Sequence, residues 1–430
     1  MILEFTFENS FSYKDEAYFS MEAVKGTKYK NEFEKLCNHR ILKSSIIFGP
    51  NASGKSNLIK SLKTFRNLVL KKDDKKENPC PTFADNSNPV KYAVTFFAEG
   101  VIYKYSVSYK HDEIISELLE IESNGVLKTY FERKENNVYS IIPAELELLI
   151  SKTRKDNLFL NTAKTFDDPH CLNVFRWFRN KLLFVSNDGL PPLDELYKLQ
   201  NNKPFRKRLL AFLQAADLTI EDFEVIKTPL DFPYELKSFF DSFEDLVDYQ
   251  MTLRHRHTTS KSDFATFPIS LSSESEGTKK LISLAIILLS LKDSTIFIDE
   301  FDDSFHVELS KALIEVFNYH KNCNQFILTS HELALMDAGF KKEQIFITKV
   351  YFCPHAPEQK CTCRKPNPKM ILDACKEFDI ELENSLMIGD KPSDVEAGKR
   401  AGVGRNFLLD GISFKDVRDV LNKLKKEKSL

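Results

Sequence analysis

The sequence has 430 residues, 42% of them hydrophobic, and a formal net charge of −2, so it is long enough for two or three domains with substantial cores. The near-neutral balance excludes a strong global attraction to nucleic acid or to an anionic membrane, although it leaves a local basic groove open. No apolar run approaches the ~18 residues of a membrane helix, and the first residues lack the features of a secretion signal, which predicts a cytoplasmic protein without a membrane partner. Eight cysteines in this length do not indicate a disulfide framework.

The first strands are predicted from two different patterns. Residues 2–7 alternate between apolar and polar side chains, which predicts a half-buried strand, and the extended stretch at 17–21 is expected to pair with it. Residues 45–48 are a short apolar run, which predicts a buried strand. Helical spacing continues from residue 58 toward residue 70, so a helix is expected after the loop that follows this strand.

That loop carries the most specific motif of the chain, Gly49-Pro50-Asn51-Ala52-Ser53-Gly54-Lys55-Ser56-Asn57. Strand, glycine loop and helix in this order are the context of a phosphate-binding loop, in which backbone N–H groups and the positive end of the helix surround a triphosphate. Lys55 is predicted to reach the β- and γ-phosphates, and Ser56 to hold Mg²⁺. The alternative is a chance match, which would arise in about half a per cent of chains with 13 glycines.

The middle of the chain predicts a region rich in strands and helices. Residues 92–109 contain two strand-like segments around Glu99-Gly100, which predicts a hairpin. Further strands are predicted at 114–123, 129–132, 222–226 and 252–258, and helices at 144–152, 172–183 and 193–215. Basic clusters at 206–208 and 254–257 would suit a phosphate backbone, but they are also typical of an exposed helix or strand face.

From residue 269 the pattern changes to that of a buried α/β core. A polar loop at 270–278 precedes an apolar helix at 279–291, and a buried strand at 295–300 then ends in Asp299 and Glu300. A helix at 307–319 and a strand at 325–330 follow, with His331 at the end of that strand. Strand ends of a parallel sheet meet at one edge, where α/β proteins bind ligands.

These side chains complete a predicted nucleotide site. Asp299 would hold Mg²⁺ alongside Ser56. Glu300, one residue later, would polarise the attacking water as a general base. His331 would lie over the γ-phosphate as a sensor. A strand ending in Asp-Glu is weak evidence alone, and the order of loop, strand and histidine is what makes it specific.

Four segments, at 49–57, 274–280, 296–306 and 328–332, resemble AAA-type ATP-binding proteins with ABC/SMC-like heads. These include the ATPases of bacterial abortive-infection and overcoming-lysogenisation (OLD-like) systems. The resemblance covers residues 1–348. It implies an α/β fold with a P-loop NTPase head of the ABC/SMC-like type, in which a β-rich and helical lobe at about 65–268 is inserted between the two halves of the core.

The same resemblance implies roles for two more loops. Residues 275–278, with Ser275 and Gly277, would be the signature loop that binds the γ-phosphate of ATP held by a second subunit. Asp302 and Asp303 would lie in the loop that touches the opposing site, so that a head-to-tail homodimer encloses ATP. Without the resemblance, residues 274–280 would be interpreted as an ordinary serine-rich helix cap.

Near the C-terminus, three thiols and an imidazole lie within 11 residues, as Cys353, His355, Cys361 and Cys363. Their spacing can close a tetrahedral, structural Zn²⁺ site without long-range folding. The alternative is that these are incidental cysteines in a reducing cytoplasm.

The last part of the chain predicts a small α/β segment, 349–430, with a helix at 370–378 and strands at 385–390 and 406–410. It resembles the C-terminal half of the histidinol-phosphatase and heptose-bisphosphate-phosphatase branch of the haloacid dehalogenase (HAD) superfamily. That resemblance implies that Lys365 neutralises phosphate and that Asp390 and Asp394 handle Mg²⁺. The family's Asp-x-Asp-Gly nucleophile motif does not occur in this sequence, so phosphatase activity is not expected and a fusion near Lys349 is the simplest account.

The sequence therefore predicts an ATPase in which ATP and Mg²⁺ drive head-to-tail dimerisation, in phage defence or nucleic-acid processing, with nucleic acid or an effector protein as candidate partners. The alternative function is a sugar-phosphate phosphatase of the heptose-bisphosphate or histidinol-phosphate type, or a catalytically dead remnant of one.

Overall fold

The protein is described here by a computed structural model. The residues it describes are 1–23, 33–49, 53–70, 81–111, 113–134, 137–140, 144–185, 193–216, 219–229, 247–258, 264–303, 305–319, 322–340, 344–347, 362–378, 380–410, 420 and 423. The chain divides into two compact units, the first taking in most of residues 1–348 and the second taking in 349–430.

The strands, in chain order, are β1 (Ile2–Glu8), β2 (Ala17–Ser20), β3 (Phe33–Leu36), β4 (His39–Leu42), β5 (Ser44–Phe48), β6 (Val90–Ala98), β7 (Val101–Lys110), β8 (Glu113–Ser123), β9 (Val126–Lys134), β10 (Asn137–Ser140), β11 (Leu182–Val185), β12 (Ile220–Pro229), β13 (Val247–Thr258), β14 (Phe264–Ser270), β15 (Thr295–Ile298), β16 (Gln325–Ser330), β17 (Ile345–Ile347), β18 (Leu386–Gly389) and β19 (Arg405–Leu408).

The helices are α1 (Lys55–Leu70), α2 (Ala144–Lys152), α3 (Phe159–Thr165), α4 (Pro169–Arg176), α5 (Leu193–Leu199), α6 (Lys203–Ala216), α7 (Glu276–Ser290), α8 (Val307–Tyr319), α9 (Lys369–Phe378) and α10 (Pro392–Ala401). A π-helical turn covers Trp177–Lys181, and short 3₁₀ turns cover Phe83–Asp85, Leu271–Ser273, Leu333–Leu335 and Leu382–Asn384.

The centre of the first unit is a parallel sheet in the order β11-β15-β16-β5-β17. Strands β5, β15 and β16 are buried along their whole length, as expected for a sheet covered on both faces. Side chains on one face, including Ile47 and Phe297, pack in a core with α1 and the N-terminal strands. Alternate side chains, including Ile46 and Ile298, pack against α6, α7 and α8 on the other face. The carboxyl ends of these strands therefore lie at one edge, which positions the site.

A second, antiparallel sheet has the order β10-β9-β8-β7-β6-β1-β2. The predicted pairing of β1 with β2 and the predicted β6–β7 hairpin are both confirmed. The prediction that residues 2–7 form a half-buried strand is confirmed, since Leu3, Phe5 and Phe7 are buried whereas Glu4 and Glu8, which alternate with them, stay partly exposed beside the buried Thr6. Gln325 joins the two sheets, since its side chain accepts a hydrogen bond from Ile2 N (2.8 Å) and donates one to Ile2 O (3.0 Å).

Two predicted helices differ from the structure. The one at 172–183 ends at a π-helical turn, and Leu182–Val185 is instead strand β11 of the parallel sheet. The one at 193–215 is split into α5 and α6, because the side chain of Asn202 accepts a hydrogen bond from Phe205 N and starts a new helix. Elsewhere the predicted elements match closely, and α8 and β16 have the predicted bounds.

The range 65–268 is built partly into the central sheets. Strands β6–β10 continue the sheet of β1 and β2, and β11 pairs with β15 in the parallel sheet. Strands β12, β13 and β14 form a separate antiparallel sheet, which packs with α5 and α6. Of the basic clusters in this range, Arg206 is held by Asp222 and Phe223 O, whereas residues 207, 208 and 254 are exposed.

The second unit contains the parallel pair β18–β19 with α10 connecting the two strands. A Cβ atom added to Gly389 would lie 2.1 Å from Asp394 Cβ, so the close approach of β18 to α10 requires glycine there. Helix α10 ends at Gly402, whose positive φ of 87° supplies the left-handed cap.

Candidate functional site

The loop between β5 and α1 is shaped by Gly54, which has φ +97°. Its carbonyl accepts hydrogen bonds from Leu58 N (3.0 Å), at the start of α1, and from Tyr13 Oη (3.2 Å). Asn57 Nδ2 donates to Ser12 Oγ (2.9 Å), so the loop after β1 supports the nucleotide loop from outside. Of the predicted loop residues, Gly49 and Ser53–Asn57 are described, and residues 50–52 lie outside the described part of the chain.

Lys55 is the first residue of α1 and is 8% exposed. Its Nζ donates to the carbonyl oxygen of Gly49, which folds the side chain back along the loop. Burial lowers the pKa of Lys55, and the carboxylates of Asp299, Asp302 and Glu300 oppose that shift. A buried ammonium at the positive end of a helix fits an anionic phosphate group.

Ser56 and Asp299 meet across 243 residues of sequence, with Ser56 Oγ donating to Asp299 Oδ1 at 3.2 Å. Asp299 directly follows β15, so the parallel register of β15, β16 and β5 brings it to the start of α1. The same Asp299 oxygen accepts a hydrogen bond from Thr329 Oγ1. A hydroxyl and a carboxylate held side by side are oxygen donors of the kind that Mg²⁺ prefers.

Glu300 occupies a strained backbone position with φ 47°, which is unusual for a residue that is not glycine. Its N–H donates to Thr329 Oγ1 (2.8 Å), and its carbonyl accepts from Lys280 Nζ (2.6 Å) and from Asp303 N (3.0 Å). The backbone of Glu300 is therefore held on both sides of its Cα atom.

His331 follows β16 and lies beside Asp302, with Nδ1 3.2 Å from Asp302 Oδ2. The His331 side chain is 56% exposed, whereas that of Asp302 is 6% exposed. The second oxygen of Asp302, Oδ1, is buried with no hydrogen-bond partner in the described part of the chain. A buried acceptor in this position is suited to a water or ligand group brought in with the nucleotide.

The predicted signature loop opens helix α7. Ser275 is the N-cap, and its Oγ accepts a hydrogen bond from Thr278 N (3.1 Å). Gly277 lies in the first turn of this helix. Glu274, the preceding residue, is buried and contacts His255 of β13, with Glu274 Oε1 2.8 Å from His255 Nε2. The three-stranded sheet and the signature loop are thus directly connected.

Three contributors to the site were missed by sequence reasoning: Thr329, Lys280 and Tyr13. A threonine near the end of an apolar strand and a lysine in an apolar helix are weak signals, which could have been noted. Tyr13 carries no such signal, because its role depends only on the approach of the β1–β2 loop to Gly54.

In the second unit, Asp394 Oδ1 lies 2.7 Å from Lys365 Nζ, and Asp394 Oδ2 accepts from Lys391 N (3.1 Å). Asp390 lies near enough to the Asp394 carboxyl to influence its pKa, so the predicted residues are brought together. Cys353, His355 and Cys361 lie outside the described residues, whereas Cys363 lies within them. Among the residues described, no three His, Cys, Asp or Glu side chains are grouped to hold a metal ion.

Residues 44–337, more than half of the chain, match the family model "AAA domain, putative AbiEii toxin, Type IV TA system". The chain belongs to this AAA family. The match spans the nucleotide loop, the predicted signature loop, Asp299 and His331, whereas Tyr13 precedes it.

Residues 362–422 match a second family model, described as HAD-hydrolase-like. Over 100 residues the chain is 43% identical to a D-glycero-beta-D-manno-heptose-1,7-bisphosphate 7-phosphatase of Helicobacter pylori, covering 21% of this chain and 58% of that protein. Over 117 residues it is 36% identical to the D-glycero-alpha-D-manno-heptose-1,7-bisphosphate 7-phosphatase of Campylobacter jejuni, covering 25% of this chain and 64% of that protein. The chain therefore spans roughly half to two thirds of these curated relatives and joins an AAA domain to a HAD-like segment.

Among solved structures, the SMC head domain from Thermotoga maritima aligns over 78% of this chain and 91% of its own, with 13% identity and a TM-score of 0.34. An SMC head bound to the C-terminal winged-helix domain of ScpA aligns with a TM-score of 0.38 and 14% identity. Within the described residues, no helix is both long enough and apolar enough to span a bilayer.

Proposed function

We propose that the AAA domain binds ATP with Mg²⁺ at Lys55, Ser56 and Asp299 and hydrolyses it. The observation that carries this proposal is the hydrogen bond between Ser56 and Asp299, 243 residues apart, beside a buried lysine. In this arrangement Lys55 holds the β- and γ-phosphates, while Ser56 and Asp299 hold the metal, which neutralises charge that develops on the phosphates.

Glu300 then acts on the attacking water. Its carboxylate accepts a proton from the water as the bond from water oxygen to the γ-phosphorus forms and the bond to the β–γ bridging oxygen breaks. His331, oriented by Asp302, donates a hydrogen bond to a γ-phosphate oxygen. Backbone N–H groups of the loop, including those of Gly54, Lys55 and Ser56, bind the phosphate oxygens.

The first experiment measures binding and turnover separately. Titration with fluorescent ATP should show a large loss of affinity for Lys55→Ala, whereas Glu300→Gln should bind ATP and hydrolyse it very slowly. Lys311→Met, a lysine on α8 that pairs with Glu308 at 3.7 Å, is the matched control and should retain both activities. An unchanged affinity of Lys55→Ala for ATP would remove the proposal.

We also infer that ATP is enclosed between two copies of the chain, with Ser275 and Gly277 of one copy facing the nucleotide of the other. Support comes from the position of both residues at the exposed N-terminus of α7, where backbone N–H groups favour an anion. On size-exclusion chromatography, Glu300→Gln with ATP and Mg²⁺ should elute as a dimer. A monomer under these conditions would count against the enclosed nucleotide.

Nucleic acid or an effector protein is the partner class that we propose for this switch, in phage defence or nucleic-acid processing in the cytoplasm. Within the described residues, this proposal is supported by the basic side chains at 207, 208 and 254, which are exposed and could contact a phosphate backbone. ATP hydrolysis should rise when DNA or RNA is added, and reversal of those charges should abolish the increase. A rate independent of both nucleic acids would favour a protein effector.

For the second unit we propose a catalytically inactive remnant that retains part of a phosphatase site. Lys365, Asp390 and Asp394 are brought together there, but the sequence has no Asp-x-Asp-Gly nucleophile. The full chain should therefore release no phosphate from heptose bisphosphate or p-nitrophenyl phosphate. Turnover that is lost in Asp390→Asn would instead establish the alternative function, a sugar-phosphate phosphatase.

A further inference from the structure

A buried lysine on α7 connects the signature helix to the turn that carries Glu300. Lys280 is 5% exposed, and its Nζ donates to the carbonyl oxygens of Glu300 (2.6 Å) and Asp303 (3.1 Å). The Phe305 ring lies 5.4 Å from Nζ and covers it on another side. Lys280 therefore binds both ends of the turn at residues 300–303.

Burial of this ammonium group is unfavourable unless hydrogen bonds or nearby carboxylates stabilise its charge. Burial lowers the pKa of Lys280 to about 8, against the opposing effect of nearby carboxylates, of which Asp303 has the largest effect. Removal of a charge from water must be offset by hydrogen bonds of good geometry. The two hydrogen bonds to carbonyl oxygens, of 2.6 and 3.1 Å, offset that cost and give the side chain a defined position.

The residue held by Lys280 is the one with a strained backbone. Glu300 has φ 47°, and its backbone is held at the N–H by Thr329 and at the carbonyl by Lys280. Such a conformation persists only where surrounding contacts fix it, and it determines where the side chain points. Removal of one contact would allow the peptide to relax and the carboxylate to move.

We propose that Lys280 is a positioning residue for ATP hydrolysis, which fixes Glu300 and ties its position to the helix that begins at the signature loop. The inference rests on the proposed role of Glu300 as general base. Because Lys280 lies on the helix that Ser275 caps and that contains Gly277, displacement of α7 would be transmitted to Glu300 through the Lys280 side chain. Contact with a second subunit would thereby affect hydrolysis at the site of the first.

The test is a double-mutant cycle between Lys280→Met and Glu300→Gln, with kcat and KM for ATP measured in each variant. Lys280→Met should lower kcat by about 10- to 100-fold, the cost of a small misplacement of a catalytic group, with little change in KM. In the Glu300→Gln background it should lower the residual rate no further. Lys311→Met again serves as the control.

Each outcome bears on the inference. A kcat for Lys280→Met equal to wild type, or an equal loss in both backgrounds, would overturn it, because the residue would then not act through Glu300. If Lys280→Met does not fold, Lys280→Gln, which keeps a donor, is judged by the same criteria. If Glu300→Gln hydrolyses ATP at the wild-type rate, the proposed role of Glu300 itself is wrong. If Glu300→Gln is inactive but Lys280→Met has the wild-type rate, the role of Glu300 stands and only the inference about Lys280 is wrong.

Discussion

Replacement of Gly54 by alanine tests whether the nucleotide loop depends on its left-handed residue. Gly54 has φ +97°, and an added Cβ would lie 2.8 Å from Tyr13 Oη and 3.1 Å from Tyr13 Cζ. The backbone conformation is unfavourable because residues with a Cβ atom rarely adopt this φ. The close contact is unfavourable because Tyr13 is itself packed against Phe7. The variant must either relax the loop or displace Tyr13.

The expected loss of ATP-binding free energy is the sum of these two effects. The backbone term costs about 1–2 kcal/mol for a residue other than glycine. Displacement of Tyr13 also breaks its hydrogen bond to Gly54 O (3.2 Å), worth about 1 kcal/mol. If binding requires the observed loop, the total of roughly 2–3 kcal/mol corresponds to about 30- to 150-fold weaker ATP binding.

Fluorescent ATP titration of Gly54→Ala measures this loss. Gly100→Ala is the matched control, since Gly100 also has a positive φ (+80°) but lies in the β6–β7 turn with nothing within 4 Å of an added Cβ. It should lower thermal stability without affecting ATP affinity. The double variant Gly54→Ala/Tyr13→Ala should regain only the affinity lost through the clash with Tyr13, because the unfavourable φ remains. An ATP affinity of Gly54→Ala equal to that of wild type would refute the reasoning.

Two further predictions concern other parts of the chain. A hydrogen bond to Glu22, with a second to Glu122, raises the pKa of His39 to about 9 from 6.5, so the stability this contact adds should be complete below pH 6.5 and lost as pH rises through about 9. The loss should be on the order of 1 kcal/mol, visible in urea unfolding at pH 6 and pH 9.5; an equal pH dependence in His39→Gln would contradict it. Purified protein should contain about one zinc per chain by elemental analysis, and a Cys353→Ser variant that keeps its zinc would exclude the predicted ligand set.

Local patterns were enough to predict much of the fold. An apolar run, a glycine loop and helical spacing are contiguous in sequence, and β5 and α1 form where they indicate. The bounds of α8 and β16 also match, because each is a strongly periodic or uniformly apolar segment with polar flanks. Prediction failed for β11, since Leu182–Val185 continues an apolar helical pattern and becomes a strand only by pairing with β15.

The sequence by itself determined which groups could do the chemistry: a loop able to surround phosphates, a lysine and serine at a helix start, and carboxylates after a buried strand. Tertiary structure alone decided how they are held. Parallel strand register places Ser56 beside Asp299, while Tyr13, Thr329 and Lys280 reach the site from elements distant in sequence. The reason is that a chemical group is a property of a residue, whereas its orientation depends on contacts that no local pattern encodes.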